Sequence, residues 1–340
     1  MVNTKRIMGI EQFYEEWNND NECIEVQTSG STGEPKKMMV RKSRMLASAR
    51  RTNDFFGLNR NDRALLCMSL DYIAGKMMFV RAIERGLRLD IVEPCSNPLA
   101  RCCCGRYDFV AMVPMQVWNS LRNDDTRKRV ADIGNLLIGG GAINNDLEKE
   151  LSAMPCRAWS SYGMTETLSH IALRRVGKSL WYEPLRQVSL SLADDGCLVV
   201  TDEATGAFNM KTNDIAEFSA EGRQFRILGR KDNVICSGGI KIHAEEVERI
   251  IATAFSRPFM ITKCHDEKFG EAVVMVIEAC DDAIVGKART VCTEILPKYW
   301  QPRHYIVIEK LPRTETMKVR RGIVVDLDKK ELCYNDYKYE

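Results

Sequence analysis

Between about residues 20 and 175, short apolar runs alternate with stretches of helical period, and few folds accept that pattern. Residues 64–70, 89–93, 109–114 and 135–138 read as buried strands. Residues 43–56, 75–85, 114–121 and 145–154 read as helices, the last capped by Asn144 or Asn145. Strands alternating with helices build βαβ units and a parallel sheet. Ligands on such sheets bind beyond the carboxyl ends of the strands. Three segments each follow a strand and so fall on that side: residues 28–36, Gly139-Gly140-Gly141, and Ser160-Ser161-Tyr162-Gly163.

The first of these carries the most chemistry. Thr28-Ser29-Gly30-Ser31-Thr32-Gly33-Glu34-Pro35-Lys36 sets hydroxyls and glycines between a strand-like segment at 23–27 and the helix from 43. Glycines let backbone N–H groups approach an anion, hydroxyls donate further bonds, and Lys36 adds charge. A flexible Ser/Gly linker is the bland reading; Pro-Lys at a fixed offset beside a strand argues against it. A P-loop is excluded, because Pro35 stands where its second glycine would be.

Bulk properties exclude several classes. The 49 Lys and Arg and 47 Asp and Glu are interspersed, so nothing points to nucleic acid or to an anionic membrane. No apolar run is long enough to span a bilayer. Glu11, Glu15 and Glu16 follow the basic N-terminus at once, so no export signal is expected and the chain reads as cytoplasmic. The 13 cysteines contain no C-x-x-C pair, and the contiguous Cys102-Cys103-Cys104 cannot surround one zinc. They read as reduced, mostly apolar thiols.

Beyond the alternating region the texture changes twice. Residues 187–228 read as a small antiparallel, barrel-like subdomain, punctuated at Gly206, Asn213-Asp214 and Glu221-Gly222. After Gly229-Arg230-Lys231-Asp232, a helix carries Ala244, Val247, Ile250, Ile251 and Ala254 on one face. Strands at 259–262, 272–278 and 305–308 and a helix at 283–295 complete an α+β domain. The polar tail, 329–340, reads as frayed. The expected architecture is α/β: residues 1–230 with the parallel sheet and the β subdomain, then a smaller α+β domain over 231–340.

Five segments now stand in chain order: residues 28–36, Tyr162-Gly163-Met164-Thr165-Glu166-Thr167, Thr212-Asn213-Asp214, Gly229-Arg230-Lys231-Asp232, and Leu311-Pro312-Arg313-Thr314 through Lys318. Together they resemble the core motifs of the acyl-adenylate-forming family, which includes acyl-CoA synthetases, firefly luciferase and peptide-synthetase adenylation domains. The resemblance implies a two-step reaction. ATP and a carboxylate give an acyl-adenylate and pyrophosphate, and a thiol such as that of CoA then displaces AMP. It implies that Thr28, Ser29, Gly30, Ser31, Thr32, Gly33 and Lys36 bind phosphates. Tyr162, with Gly163, would stack on adenine, and Gly139, Gly140 and Gly141 would line the base's other side. Thr165 and Glu166 resemble the magnesium-binding pair; an oxygen ligand suits that hard cation. Asp214 and Arg230 would hold the ribose. Asp232 matches a hinge about which the smaller domain rotates, and Gly238-Gly239 a loop of the thiol tunnel. Lys318 resembles the catalytic lysine that neutralises charge between carboxylate and α-phosphate. Met317 departs from the glycine usual before that lysine.

Two observations narrow the acyl group. Only 27 residues precede the hydroxyl-rich loop, where typical relatives have well over a hundred. Residues 72–78 and 165–170 resemble the short bacterial o-succinylbenzoate–CoA ligases of menaquinone synthesis. That substrate keeps a free aromatic carboxylate after activation, for which Tyr72, Lys76, Ser169 and His170 are the expected surroundings. The short N-terminal region leaves two readings open, a homodimer partner or a shallower site. An amino-acid adenylation domain using Asp71, or another aryl or acyl adenylating enzyme, is the alternative. A nucleotide-binding protein without catalysis is the alternative of another class.

Overall fold

The computed structural model describes residues 9–27, 37–102, 105–313, 319, 323–326 and 331–334. The expected sites at 28–36 and Lys318 lie outside them. Helix α1 (Ile10–Asn18) turns Phe13 and Trp17 inward, four residues apart on one face. Strands β1 (Cys23–Gln27) and β2 (Lys37–Arg41) form an antiparallel hairpin, with Gln27 directly opposite Lys37. Residues 28–36 therefore connect two paired strands, not a strand and a helix as expected. The alternation of Ile24 and Val26 inward predicted β1; Lys37-Met38-Met39-Val40-Arg41 is too short and mixed to announce its partner.

The next elements are α2 (Lys42–Phe56), β3 (Arg63–Leu66), α3 (Ile73–Arg85), β4 (Arg88–Ile91), β5 (Phe109–Met112), α4 (Pro114–Ser120), α5 (Asp124–Ala131), β6 (Asn135–Ile138), α6 (Asn145–Ser152), β7 (Arg157–Gly163), β8 (His170–Arg175) and β9 (Glu183–Pro184). Their sheet runs β4-β3-β5-β6-β7-β8-β9. β4 through β7 pair in parallel. β8 and β9 are added antiparallel, making the sheet mixed. β5 and β6 are buried at every position, as central parallel strands covered on both faces must be. One apolar layer gathers Phe56, Met77 and Phe109, the other Leu65, Val110 and Leu136. Asn144 is the cap of α6, its side chain accepting from the Leu147 N–H at 2.8 Å. Ser160 to Gly163 are the last residues of β7, not a loop beyond it.

Strands β10 (Val188–Leu192), β11 (Cys197–Asp202), β12 (Ala207–Phe218) and β13 (Phe225–Arg230) form a four-stranded sheet in that order. Among the described residues it is an open path, not the barrel-like closure expected. Asn213 and Asp214 do not punctuate it, because β12 continues straight through them. The last elements are β14 (Val234–Ser237), β15 (Ile240–His243), α7 (Ala244–Ile251), β16 (Phe259–Asp266), β17 (Gly270–Glu278), α8 (Ala283–Ile295), β18 (His304–Ile308), β19 (Ile323–Asp326) and β20 (Glu331–Tyr334). Their sheet runs β15-β14-β17-β16-β19-β20, with β18 beside β17. The tail expected to fray supplies β20, paired antiparallel to β19.

Two compact units result: Met1–Ser191 with Val199–Met210 and Phe218–Arg226, and Leu192–Leu198 with Lys211–Glu217 and Ile227–Glu340. No helix among the described residues is long and apolar enough to cross a membrane.

Candidate active site

In the first unit, the expected residues collect where β7 turns back into β8. Gly163 sits at a bulge in that pairing. A Cβ there would lie 2.3 Å from the Ser169 carbonyl oxygen, so only glycine lets the returning chain come so close. Between them, Thr165 to Thr167 form one 3₁₀ turn. The Thr167 hydroxyl locks that turn, accepting from the Met164 N–H at 3.0 Å and donating to the Ser169 carbonyl at 2.8 Å. Thr165 is buried, whereas Glu166 is exposed and has no bonded partner among the described residues. The Tyr162 ring meets Phe225 edge-on at 5.3 Å and Tyr182 at 6.1 Å. Tyr182 is itself fixed, its hydroxyl 2.9 Å from Ser160 Oγ. The loop Gly139-Gly140-Gly141 leaves β6 beside this strand, since Ser161 Oγ donates to the Ile138 carbonyl at 3.0 Å. Tyr72 precedes α3 and bridges in parallel to Gln27, the residue just before Thr28.

The other substrate residues divide. Lys76 is buried, but its ammonium donates to the Glu25 carbonyl at 3.0 Å, lies 3.7 Å from the Glu16 carboxylate and rests 4.9 Å from the centre of the Phe13 ring. Its bonding is structural, tying α3 to α1 and β1. Ser169 and His170 instead meet Arg81, which the sequence reading missed. Arg81 is five residues beyond Lys76 and so roughly 140° round the helix. The residue is 2% exposed, and its guanidinium donates through Nη2 to Ser169 Oγ and through Nη1 to Met78 Sδ at 3.5 Å. Nε has no partner among the described residues, and no carboxylate there pairs with it. Burial pulls its pKa down to about 10, so it stays cationic at neutral pH. The available signal was a lone arginine inside the apolar run Met77-Met78-Phe79-Val80-Arg81-Ala82.

His170 is likewise buried. Its Nδ1 is 3.2 Å from Ser169 Oγ and its Nε2 is 3.3 Å from Thr52 Oγ1. Burial, then the nearby Arg81 and Arg51 cations, hold its pKa well below the ordinary value, so it is neutral. Arg51 is neutralised by Asp202 through two 2.8 Å bonds, whereas Arg81 has no such acid among the described residues. Asp71, on which the amino-acid alternative depends, accepts from Ser69 Oγ at 2.7 Å in a local turn.

The second unit brings together the other expected residues. Arg230 lies 3.5 Å from Asp214 and 3.2 Å from Asp232, and Asn213 donates to Asp232 at 3.4 Å. Gly238 and Gly239 make the two-residue turn between β14 and β15, with φ of 58° and 83°. Such a turn requires positive φ at both positions, which is why two glycines stand there. The Phe269 ring packs on it, 3.0 Å from where a Cβ of Gly238 would be. At the edge of the remaining expected site, Arg313 bridges to Val319, on either side of the undescribed residues 314–318.

Residues 11–213 match the family described as AMP-binding enzyme. The 2-succinylbenzoate–CoA ligase of Salmonella typhimurium is 28% identical, over 86% of this chain and 66% of its own length. The chain thus spans about two thirds of such curated relatives. An acyl-CoA synthetase (AMP-forming)/AMP-acid ligase II-like protein of Dyadobacter fermentans is 35% identical, with a TM-score of 0.62 over 91% of this chain and 90% of that one. The o-succinylbenzoate CoA synthetase of Bacillus subtilis, solved with its acyl-adenylate intermediate, shares the fold at 22% identity, with a TM-score of 0.74 over 87% of this chain and 67% of that one. The chain belongs to the family of AMP-binding enzymes.

Proposed function

We propose that this protein is an AMP-forming acid–CoA ligase whose acid is o-succinylbenzoate. The observation that carries the choice of acid is Arg81, a buried cation without an acidic partner among the described residues. Burying an unpaired charge costs several kcal/mol, roughly, unless something in the working state pairs with it. A carboxylate on the substrate would do so, with charge-assisted bonds. o-Succinylbenzoate offers one carboxylate to activate and a second to hold. Arg81 takes the role expected of Lys76, with Ser169 beside it and Tyr72 at the edge of the hydroxyl-rich loop.

The remaining roles follow the family reaction. Residues 28–36 hold the β- and γ-phosphates, Tyr162 and Gly139 to Gly141 hold adenine, and Asp214 with Arg230 holds ribose. Glu166, exposed and unpaired among the described residues, offers the hard oxygen that Mg²⁺ prefers, with Thr165 beside it. Mg²⁺ bound there would supply positive charge to offset that of the phosphates. Lys318 acts at the carboxylate and α-phosphate. In the second step the CoA thiol, led past Gly238-Gly239, attacks the acyl carbon and AMP departs. Asp232 is the hinge about which the smaller domain, 231–340, moves between the two steps. A cytoplasmic setting, which keeps thiols reduced, is part of this reading.

The test is a panel of acids with ATP, Mg²⁺ and CoA. o-Succinylbenzoate should release pyrophosphate and yield the thioester. Pyrophosphate exchange driven by amino acids, with none from the keto-diacid, would overturn the reading in favour of an adenylation domain.

A further inference from the structure

The bonds around His170 have one consistent direction. The Thr52 hydroxyl has a single hydrogen, and the Ser48 carbonyl, 3.1 Å away on the same helix, can only accept it. Thr52 Oγ1 must then accept from His170, so Nε2 carries the imidazole proton. Nδ1 is left as an acceptor and takes the hydroxyl hydrogen of Ser169. With its hydrogen committed, Ser169 Oγ presents lone pairs to Arg81, which donates into them. The chain runs Arg81 to Ser169 to His170 to Thr52 to Ser48, and each member has one role. It ties α3, the start of β8 and α2 together around a guanidinium that has no carboxylate to hold it among the described residues.

We infer that His170 is a positioning residue for substrate specificity: acting through Ser169, it fixes the Arg81 guanidinium so that it receives the substrate's second carboxylate. His170 itself does not touch the substrate. A neutral imidazole suits this task because it offers a donor and an acceptor on opposite edges of one rigid ring. A second cation beside Arg81 would instead repel it. Without the acceptor at Nδ1, Ser169 is free to rotate and Arg81 loses its only oxygen partner among the described residues. The inference rests on the proposed acid, because the geometry matters only if a second carboxylate arrives.

The experiment compares two acids, o-succinylbenzoate and 4-oxo-4-phenylbutanoate, which lacks the ring carboxylate. His170→Leu should raise KM for o-succinylbenzoate about tenfold, the size expected for one lost orienting bond. KM and kcat for the carboxylate-free acid should stay put. His170→Asn, whose Oδ1 falls where Nδ1 accepts, should restore KM to within about twofold. Ser169→Ala breaks the same link with a smaller change and stands in if His170→Leu does not fold. The double variant should be no worse than either single one. Equal effects of His170→Leu on both acids, or no effect on either, would overturn the inference. A wild-type enzyme that ignores o-succinylbenzoate overturns the proposed function instead, and that is seen before any variant is made.

Discussion

Two polar clusters in this chain are built on opposite terms. In the cluster of Arg81, Ser169, His170 and Thr52, all but the half-buried Ser169 are shut off from water, and each bond is directional. The cluster of Asp214, Arg230 and Asp232 is largely wet, with 35% of the Arg230 side chain and 48% of the Asp232 side chain exposed. In the first, a missing partner leaves a stranded dipole or charge, so the arrangement is all or nothing. In the second, each ion pair contributes little, because water replaces either partner cheaply. A rigid, costly cluster suits recognition of one ligand group. A loose, cheap one suits a place where the backbone must turn.

The largest expected effect tests the buried side. Arg81→Met removes the charge while keeping much of the volume. If the guanidinium serves the substrate, kcat/KM for o-succinylbenzoate should fall about 30-fold or more, the range for truncating one partner of a buried charge pair. Stability should meanwhile hold or rise by about 1 kcal/mol, because an uncompensated buried cation has gone. A fall in thermal stability together with unchanged kcat/KM would make Arg81 a structural residue and erase the contrast.

The next effect is smaller and concerns pH. Arg81 faces His170 from α3, and Arg51 faces it from α2 with Asp202 of β11 neutralising that second cation. Ser169 precedes it just before the strand begins, and Thr52 meets its far edge. Burial and these cations lower its folded-state pKa, so below about pH 6.5 the unfolded chain takes up a proton that the folded chain refuses. Stability is therefore full above that pH and declines as pH falls toward the folded value. One such group can add at most about 1.4 kcal/mol per pH unit to the slope. Denaturant unfolding between pH 6.5 and 5 should show a shallower slope for His170→Asn than for wild type. Parallel slopes would mean that the imidazole is not held neutral.

These clusters were not equally legible in the sequence. Apolar runs such as Asn135–Ile138 declare buried parallel strands, because a strand covered on both faces can hold few polar side chains. Tyr162, Asp214, Arg230 and Asp232 stand in short motifs whose order is informative, and one ion pair among them, Arg230 with Asp232, is local. Arg81 shows in the sequence only as a lone arginine in an apolar run, and Thr52 not at all, for a physical reason. Their meaning comes from contacts with residues 88 and 118 positions away, and no short window can contain those. Lys76 was expected at the substrate because it is a cation within the resembling stretch 72–78, while its ammonium bonds to β1 and lies near Glu16 of α1. The strand β2 and the polar helix α5 were missed because neither has an apolar period strong enough to read.

The smallest expected effect on stability belongs to Asp232, and it is the sharpest test of the wet cluster. Asp232→Ala removes one exposed pair to Arg230 and one long bond from Asn213. Unfolding free energy should change by about 0.5 kcal/mol or less. Asp232→Pro removes the same bonds and also restricts φ at the expected hinge. If the chain turns there between its two chemical steps, the proline variant should slow one half-reaction well beyond the other, while the alanine variant slows neither by much. Pyrophosphate exchange reports the first step; conversion of preformed acyl-adenylate and CoA reports the second. Equal losses in both steps from Asp232→Pro would mean a disturbed local structure and no hinge. Equal losses from Asp232→Ala as well would assign the carboxylate itself to nucleotide binding alongside Asp214, and the cheapness of its ion pairs would then reflect exposure alone.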